Sequence, residues 1–211
     1  MPVYQIGSKT VLFIHVPKTA GMAMGAHLGR AGRAAFQDRI VFRGGTFGPR
    51  HQPAAVLEKI FLPEMIDYAF MVVRHPVARL VSEYRYQRRH GTIQLSRLRI
   101  FGFDTWLRNA LFRLKSDPNW RDGHFRPQVQ YECFDCEVFR YEDGLQNVSD
   151  RLSSLTGIGI PAGVSPENVS PPRPVHISQV SLEKIAQYYT ADFERFGYDV
   201  DLPQLSGVTK S

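Results

Sequence analysis

The chain has 211 residues, enough to bury one sizeable core but short for two full domains. Hydrophobic residues make up 43% and charged residues 22%, as in ordinary globular proteins, and no run approaches the roughly 18 apolar residues of a membrane span. The formal net charge of +6 favours anionic partners: nucleotides, nucleic acid, acidic glycans or anionic lipid. A basic surface with no specific partner is the other reading of charge alone.

The N-terminal stretch MPVYQIGSKT has no apolar core of a leader peptide, so the expectation is a cytoplasmic protein with no membrane contact. Residues 10–16, TVLFIHV, read as a buried strand, being short, apolar and rich in β-formers. A helix follows over Met22 to Leu28, with Gly29 and Gly32 near its end. Residues 39–42 suggest a short strand, RGGTFGPRH a loop, and Pro53 to Phe61 a helix with proline in its first turn. YAFMVV, residues 68–73, is the clearest second core strand. Arg74-His75-Pro76 then turns into a helix over 77–89, where Val77, Leu80, Val81 and Tyr84 share one face.

Residues 103–114 read as a helix capped near Asp104 or Thr105, and SDPNWRDG as a turn cluster. CEVFRYE (136–142) is a third strand, and 144–156 a helix closed by Gly157. SPENVSPPRP is a proline-rich loop, and Ser181 to Phe196 one last amphipathic helix. Cys133 and Cys136 form a single C-x-x-C. No second pair completes a zinc site and a strand-like run follows, so they read as structural thiols.

Strands alternate with helices, and each strong strand ends in a polar loop that enters a helix. That pattern predicts one α/β domain over residues 1–211, with a parallel sheet flanked by helices. Ligands of such sheets bind beyond the carboxyl ends of the strands, which singles out His15–Gly21 and Arg74–Ser82. At the first, Lys18 and Thr19 precede a helix N-terminus whose backbone N–H groups favour an anion. The glycines of the ATP-binding loop G-x-x-x-x-G-K-[ST] are missing. At the second, the guanidinium of Arg74 and the hydroxyl of Ser82, two helical turns on, converge on a second phosphate group. An ion pair of Arg74 with Glu83 or Asp67 is the alternative.

Together H-V-P-K-T-A-G (15–21) and R-H-P-V-A-R-L-V-S-E-Y (74–84) resemble the sulfotransferases that use 3′-phosphoadenosine 5′-phosphosulfate (PAPS), closest to the carbohydrate sulfotransferases and their soluble bacterial relatives. PRHQPAAVLEKI, FDTWL, HFRPQ, the VFRYEDG strand with its helix, and YYTADFERFGYD extend the resemblance in order along most of the chain. It implies a fold related to P-loop nucleotide hydrolases and a transfer from PAPS to a hydroxyl of a carbohydrate or other acceptor, with no metal and no nucleic acid. Carried over, Pro17, Lys18, Thr19, Ala20, Gly21, Met22 and Ala23 hold the 5′-phosphosulfate, Arg74 and Ser82 hold the 3′-phosphate, and His51 is the catalytic base with Lys18 beside it in catalysis.

The family usually has Thr and Ser where this chain has Met22 and Ala23, which implies weaker cofactor affinity. His15 reads as packing at the strand end and His75 as a turn residue. His124 and Gln128 either orient the acceptor or brace their loop. Arg85, Arg88 and Arg89 line an acceptor groove or form a solvated helix face. Two rivals predict different behaviour: an ATP-dependent small-molecule kinase would need Mg²⁺, and a degenerate nucleotide-binding protein would bind without transfer.

Overall fold

The computed structural model describes residues 2–43, 45–90, 102–161, 163 and 174–210. Residues 165–173 of the expected proline-rich loop and residues 91–101 lie outside that set. The elements run β1 (Val3–Ile6), β2 (Lys9–Ile14), α1 (Gly21–Ala31), β3 (Arg33–Ala35), β4 (Ile40–Phe42), β5 (Gly45–Phe47), α2 (Ala54–Ile60), β6 (Tyr68–Val73), α3 (Pro76–Arg89) and α4 (Phe103–Leu114). Then follow β7 (Glu137–Arg140), α5 (Gln146–Thr156), β8 (Val175–Ile177), α6 (Gln179–Tyr188), α7 (Thr190–Phe196) and β9 (Val208–Lys210), with single 3-10 turns at Pro63–Met65, Gln128–Tyr131 and Tyr141–Asp143. The chain is thus mixed α/β. It divides into two compact units, residues 1–73 with 130–167, and residues 74–129 with 168–211.

The first unit is built on a five-stranded sheet of order β3-β1-β2-β6-β7. β2 pairs parallel to β6 and β6 parallel to β7, as the alternating pattern predicts. β1 departs from the expected parallel sheet: it pairs antiparallel to both β2 and β3, so it alone runs against the others. The register pairs Ile6 with Lys9, leaving a two-residue loop of Gly7 and Ser8 with Gly7 at φ 57°. Loops that short join only antiparallel strands, and the positive φ is what glycine supplies. The expected loop over 43–51 also contains a strand, since β5 pairs antiparallel with β4.

Alternation decides which side chains reach the core. Tyr4 and Ile6, Val11 and Phe13, and Phe70 and Val72 share one sheet face. They cluster there with Met24 and Leu28 of α1 and Val148 and Leu152 of α5, each helical pair four residues apart. Between these two helices lies a buried polar contact, His27 Nε2 to Ser149 Oγ at 3.0 Å, with Arg30 Nη2 3.5 Å from the other ring nitrogen. Cys133 and Cys136 are buried free thiols. Burial first, then Cys136 and Glu58, push the Cys133 thiol up to about 12, which makes it a poor nucleophile.

The second unit is mainly helical, α3, α4, α6 and α7, with β8 and β9 forming a small parallel pair. The α4 cap is Gly102, with Asp104 and Thr105 near it in the first turn; the Asp104 carboxylate accepts from the Ser178 backbone N–H at 3.2 Å. The single helix expected over 181–196 is two helices. It breaks at Tyr189, where φ is −107° and ψ 22°. The Tyr189 side chain is fully buried and its hydroxyl donates to the Phe125 carbonyl at 2.8 Å, an anchor in distant sequence that helical periodicity does not reveal.

The His27 contact carries a pH signature. Burial, with Arg30 adding repulsion, holds the folded imidazole below its ordinary value. The folded chain therefore keeps His27 neutral while the unfolded chain protonates it below about pH 6.5. Its contribution is present above that pH and is lost as the pH falls towards the lower folded value. Thermal melts from pH 7.5 to 5.5 should show a smaller drop in Tm for His27→Gln, which keeps a polar group near Ser149 but does not titrate, than for the parent.

Candidate anion-binding motifs

Six residues, 15–20, carry the chain from the end of β2 to the start of α1. Lys18 (φ 68°) and Ala20 (φ 65°) both sit in the left-handed region. This is the backbone shape that glycine supplies in an ordinary phosphate loop, made here without glycine. Left-handed residues next to right-handed ones turn successive N–H groups to one side, a concavity suited to an anion, and α1 adds its N-terminal amides. Lys18 is half-buried and Pro17 buried in the same loop.

Thr19 has a structural contact of its own. Its side chain is fully buried and its hydroxyl donates to the Val16 carbonyl at 2.9 Å, so it braces the loop from inside. Ala23 is buried and Met22 is about half exposed, with its sulfur accepting from Arg50 Nη1 at 3.4 Å. Neither side chain brings a hydroxyl, and what this turn of α1 offers an anion is backbone N–H.

Gly21 is fixed by a close approach. A Cβ there would lie 1.8 Å from His15 Nε2. The His15 ring is buried, stacked on Phe13 at 5.6 Å and meeting His51 edge-on at 4.7 Å. The packing role read for His15 is thus what the structure shows, and His51 is brought against the base of the loop. His51 is itself left-handed, at φ 59°. Beside them opens a cavity of about 250 Å³, lined among others by Tyr4, His15, Gly21, Met22, Gln37 and Arg50. The sequence pattern gave no signal for Tyr4, Gln37 or Arg50 here, because they come from separate segments.

The second motif lies in the second unit. Arg74 follows β6 directly, and one side chain, Gln128, engages both polar groups of its backbone: Arg74 N–H donates to Oε1 at 2.9 Å and Nε2 donates to the Arg74 carbonyl at 2.8 Å. His75 is more than a turn residue, since it caps α3. Its Nδ1 accepts from the Val77 N–H at 3.2 Å while Nε2 donates to the Asp199 carbonyl at 2.9 Å. Pro76 occupies the first helical turn as expected. Ser82 and Arg85 lie three apart on α3, on neighbouring surface. Burial, and then the charge of Arg74, lower the pKa of Arg85, so two guanidiniums stand within electrostatic reach of each other. An anion between them would relieve that repulsion.

The two carboxylates weighed as partners of Arg74 also make contacts elsewhere, which do not exclude that pairing. Asp67 accepts from Lys9 at 3.0 Å and from the Thr10 N–H at 2.8 Å. Glu83 is buried, accepting from Gln87 Nε2 at 2.6 Å and lying 2.8 Å from His124 Nδ1. Gln87 in turn accepts from Trp106 Nε1 at 3.0 Å.

The sequence model of the sulfotransferase family matches residues 4–199. The chain belongs to the sulfotransferase family. The match runs from β1 to Asp199 and covers both motifs. No curated protein and no solved structure matches the chain. Sulfotransferases move a sulfuryl group, generally from PAPS, to an acceptor hydroxyl, so a family member needs places for two phosphate-like groups and an acceptor. Among the described residues no helix is long and apolar enough to cross a membrane.

Two neighbouring substitutions in the first loop should act in opposite directions. Ala20→Gly removes a left-handed alanine that costs about 1–2 kcal/mol, partly offset by glycine's greater freedom in the unfolded chain, so a net gain of about 1 kcal/mol is expected. Gly21→Ala forces the His15 ring against Phe13 and His51 and should cost about 1–3 kcal/mol. Urea unfolding of both variants measures the pair.

Proposed function

We propose that this sulfotransferase transfers a sulfuryl group from PAPS to a hydroxyl of a carbohydrate, acting as one domain over residues 1–211 with a P-loop-like fold, in the branch of carbohydrate sulfotransferases and their soluble bacterial relatives. The observation that carries the reading is the left-handed backbone at Lys18 and Ala20 leading into α1, in a chain whose family match spans both motifs. Bound PAPS would supply the sulfuryl group and a phosphate leaving group. In this reading Lys18 and the backbone N–H groups of residues 20–23 hold the 5′-phosphosulfate. Pro17, Thr19 and Gly21 shape that loop, and Met22 and Ala23 contribute backbone alone. The guanidinium of Arg74 and the hydroxyl of Ser82 hold the 3′-phosphate, with the charge of Arg85 nearby.

His51 removes the proton from the acceptor hydroxyl as the oxygen attacks sulfur, and the Lys18 ammonium stabilises the charge that develops on the departing phosphate oxygen. In this reading the cavity of about 250 Å³ beside His15 and Met22 takes the acceptor. No metal enters this scheme. The two buried free thiols suit the reducing cytoplasm.

One observation favours a second reading of the base. His124 Nδ1 lies on the buried Glu83 carboxylate, the arrangement by which a carboxylate orients an imidazole and leaves Nε2 to act on a proton. Variants separate the two. His51→Ala should leave binding of adenosine 3′,5′-bisphosphate nearly unchanged while transfer falls about 10²–10⁴-fold. Should His124→Ala show that pattern and His51→Ala keep its activity, the base is His124. Lys18→Ala should weaken PAPS binding and slow transfer together, because Lys18 meets the cofactor in both ground and transition states.

The cofactor reading is tested by thermal shift. Adenosine 3′,5′-bisphosphate should raise the Tm more than ADP at equal concentration, and Arg74→Ala should abolish the difference. Equal shifts in the parent protein, or a larger one for ADP with Mg²⁺, would favour the kinase reading. Binding without transfer to any acceptor would favour the non-catalytic one.

A further inference from the structure

We propose that Gln128 is the positioning residue for 3′-phosphate recognition: its amide fixes the backbone of Arg74 and so sets where the guanidinium points. The inference rests on the reading of Arg74 given above. The ladder between β6 and β7 ends at the pair Val73–Arg140, so Arg74 is the first residue beyond it. There the Gln128 amide replaces a strand partner. It accepts from the Arg74 N–H and donates to the Arg74 carbonyl, both at hydrogen-bond distance, 2.9 and 2.8 Å. The primary amides of Asn and Gln offer an acceptor and a donor side by side in one plane at any pH, whereas a carboxyl group does so only when protonated.

The amide is itself held rigidly. Gln128 is fully buried. The two carboxylate oxygens of Asp192, also fully buried, accept the backbone N–H groups of Gln128 and Val129 at 2.9 and 3.0 Å. Upstream, the buried Arg79 guanidinium donates to the carbonyls of His124 (3.1 Å) and Arg126 (2.8 Å), and the Tyr189 hydroxyl donates to that of Phe125. Segment 124–129 is therefore gripped on both its carbonyls and its amides. That grip is transmitted to Arg74 through the Gln128 side chain. Because His75 in turn caps α3, the proposed phosphate ligands Arg74 and Ser82 start from a fixed origin. A preorganised guanidinium binds with less ordering cost than a free one, and a displacement of about 1 Å at such a site can cost up to about 10²-fold.

The test compares Kd for adenosine 3′,5′-bisphosphate and for ADP by calorimetry, with steady-state kinetics in PAPS. Gln128→Met keeps the volume and removes both bonds. Gln128→Glu, assayed at about pH 9 so that its buried carboxyl is ionised, keeps the acceptor for the Arg74 N–H and loses the donor to its carbonyl. Gln128→Met should weaken bisphosphate binding about tenfold or more while ADP binding holds, and should raise KM for PAPS at unchanged kcat, with Gln128→Glu falling between it and the parent. Where Gln128→Met fails to fold, Gln128→Glu decides by the same readouts. A folded variant that keeps the parent preference overturns the inference alone, and so does equal weakening of both ligands, which marks general loosening. A parent protein that does not distinguish the bisphosphate from ADP overturns the Arg74 reading and this inference with it.

Discussion

The turn from β2 into α1 has no room for a side chain at Gly21, because the His15 ring occupies that space. The chain meets this constraint by packing the ring between Phe13 and His51 and by bending through two left-handed residues, Lys18 and Ala20. Such residues cost about 1–2 kcal/mol each, and the cost is offset by what anchors both ends of the turn. Phe13 belongs to the core on one side, and Met24 and Leu28 of α1 belong to the same core on the other. Thr19 adds the internal brace to Val16. The backbone amides at the start of the helix are thereby aimed before any ligand arrives, which is the condition under which fixed dipoles stabilise an anion without reorganisation.

The second motif reaches the same end by different means. Its charges are guanidiniums, and the scaffold behind them is polar and buried. Arg79 and Asp192 are both removed from solvent, an arrangement that is costly unless each finds partners. Arg79 finds backbone carbonyls and Asp192 backbone amides on the same short segment, so the desolvation cost is offset by bonds that specify one conformation. Burial still outweighs those bonds at Asp192 and holds its pKa above the ordinary carboxylate value. Glu83 sits in a similar chain of contacts, from Trp106 through Gln87 to Glu83 and on to His124. Segment 124–129 is in this way held by buried side chains as well as by its own Phe125 in the core.

What the sequence made legible follows from which forces are local. β6 and α3 were readable because an apolar run, a proline at the first helical turn and a 3.6-residue period all act within a few residues. The two loops proposed to bind anions are legible in the same way, as polar loops after strands. β1, at four residues, is too short for an apolar period to mark it, although its Gly7-Ser8 turn is a local signal. The break at Tyr189 was not legible, since the apolar period runs straight through it and the deciding bond goes to Phe125, 64 positions away. Residue type at Thr19 suggests a ligand but not the bond its buried hydroxyl donates to the Val16 carbonyl, which depends on the folded turn. The clamp of Gln128 on Arg74 spans 54 positions and leaves no periodic trace.

The His15–His51 contact joins two features that the sequence presents as separate. His51 lies in a glycine- and proline-rich loop, where a histidine is ordinarily a surface residue. Here its ring meets the edge of a buried imidazole whose own place is set by Phe13 and by the missing side chain at Gly21. The position of His51 is therefore coupled to the same packing that shapes the anion loop. Its left-handed backbone, unusual for a histidine outside a constrained turn, is the local cost of that placement. Two residues that a base and an anion loop would need near each other are brought together by the packing of His51 on the buried His15 ring. Core packing is stiff on the scale of a methyl group, so the place of the His15 ring, on which His51 rests, is set by the β2–α1 turn.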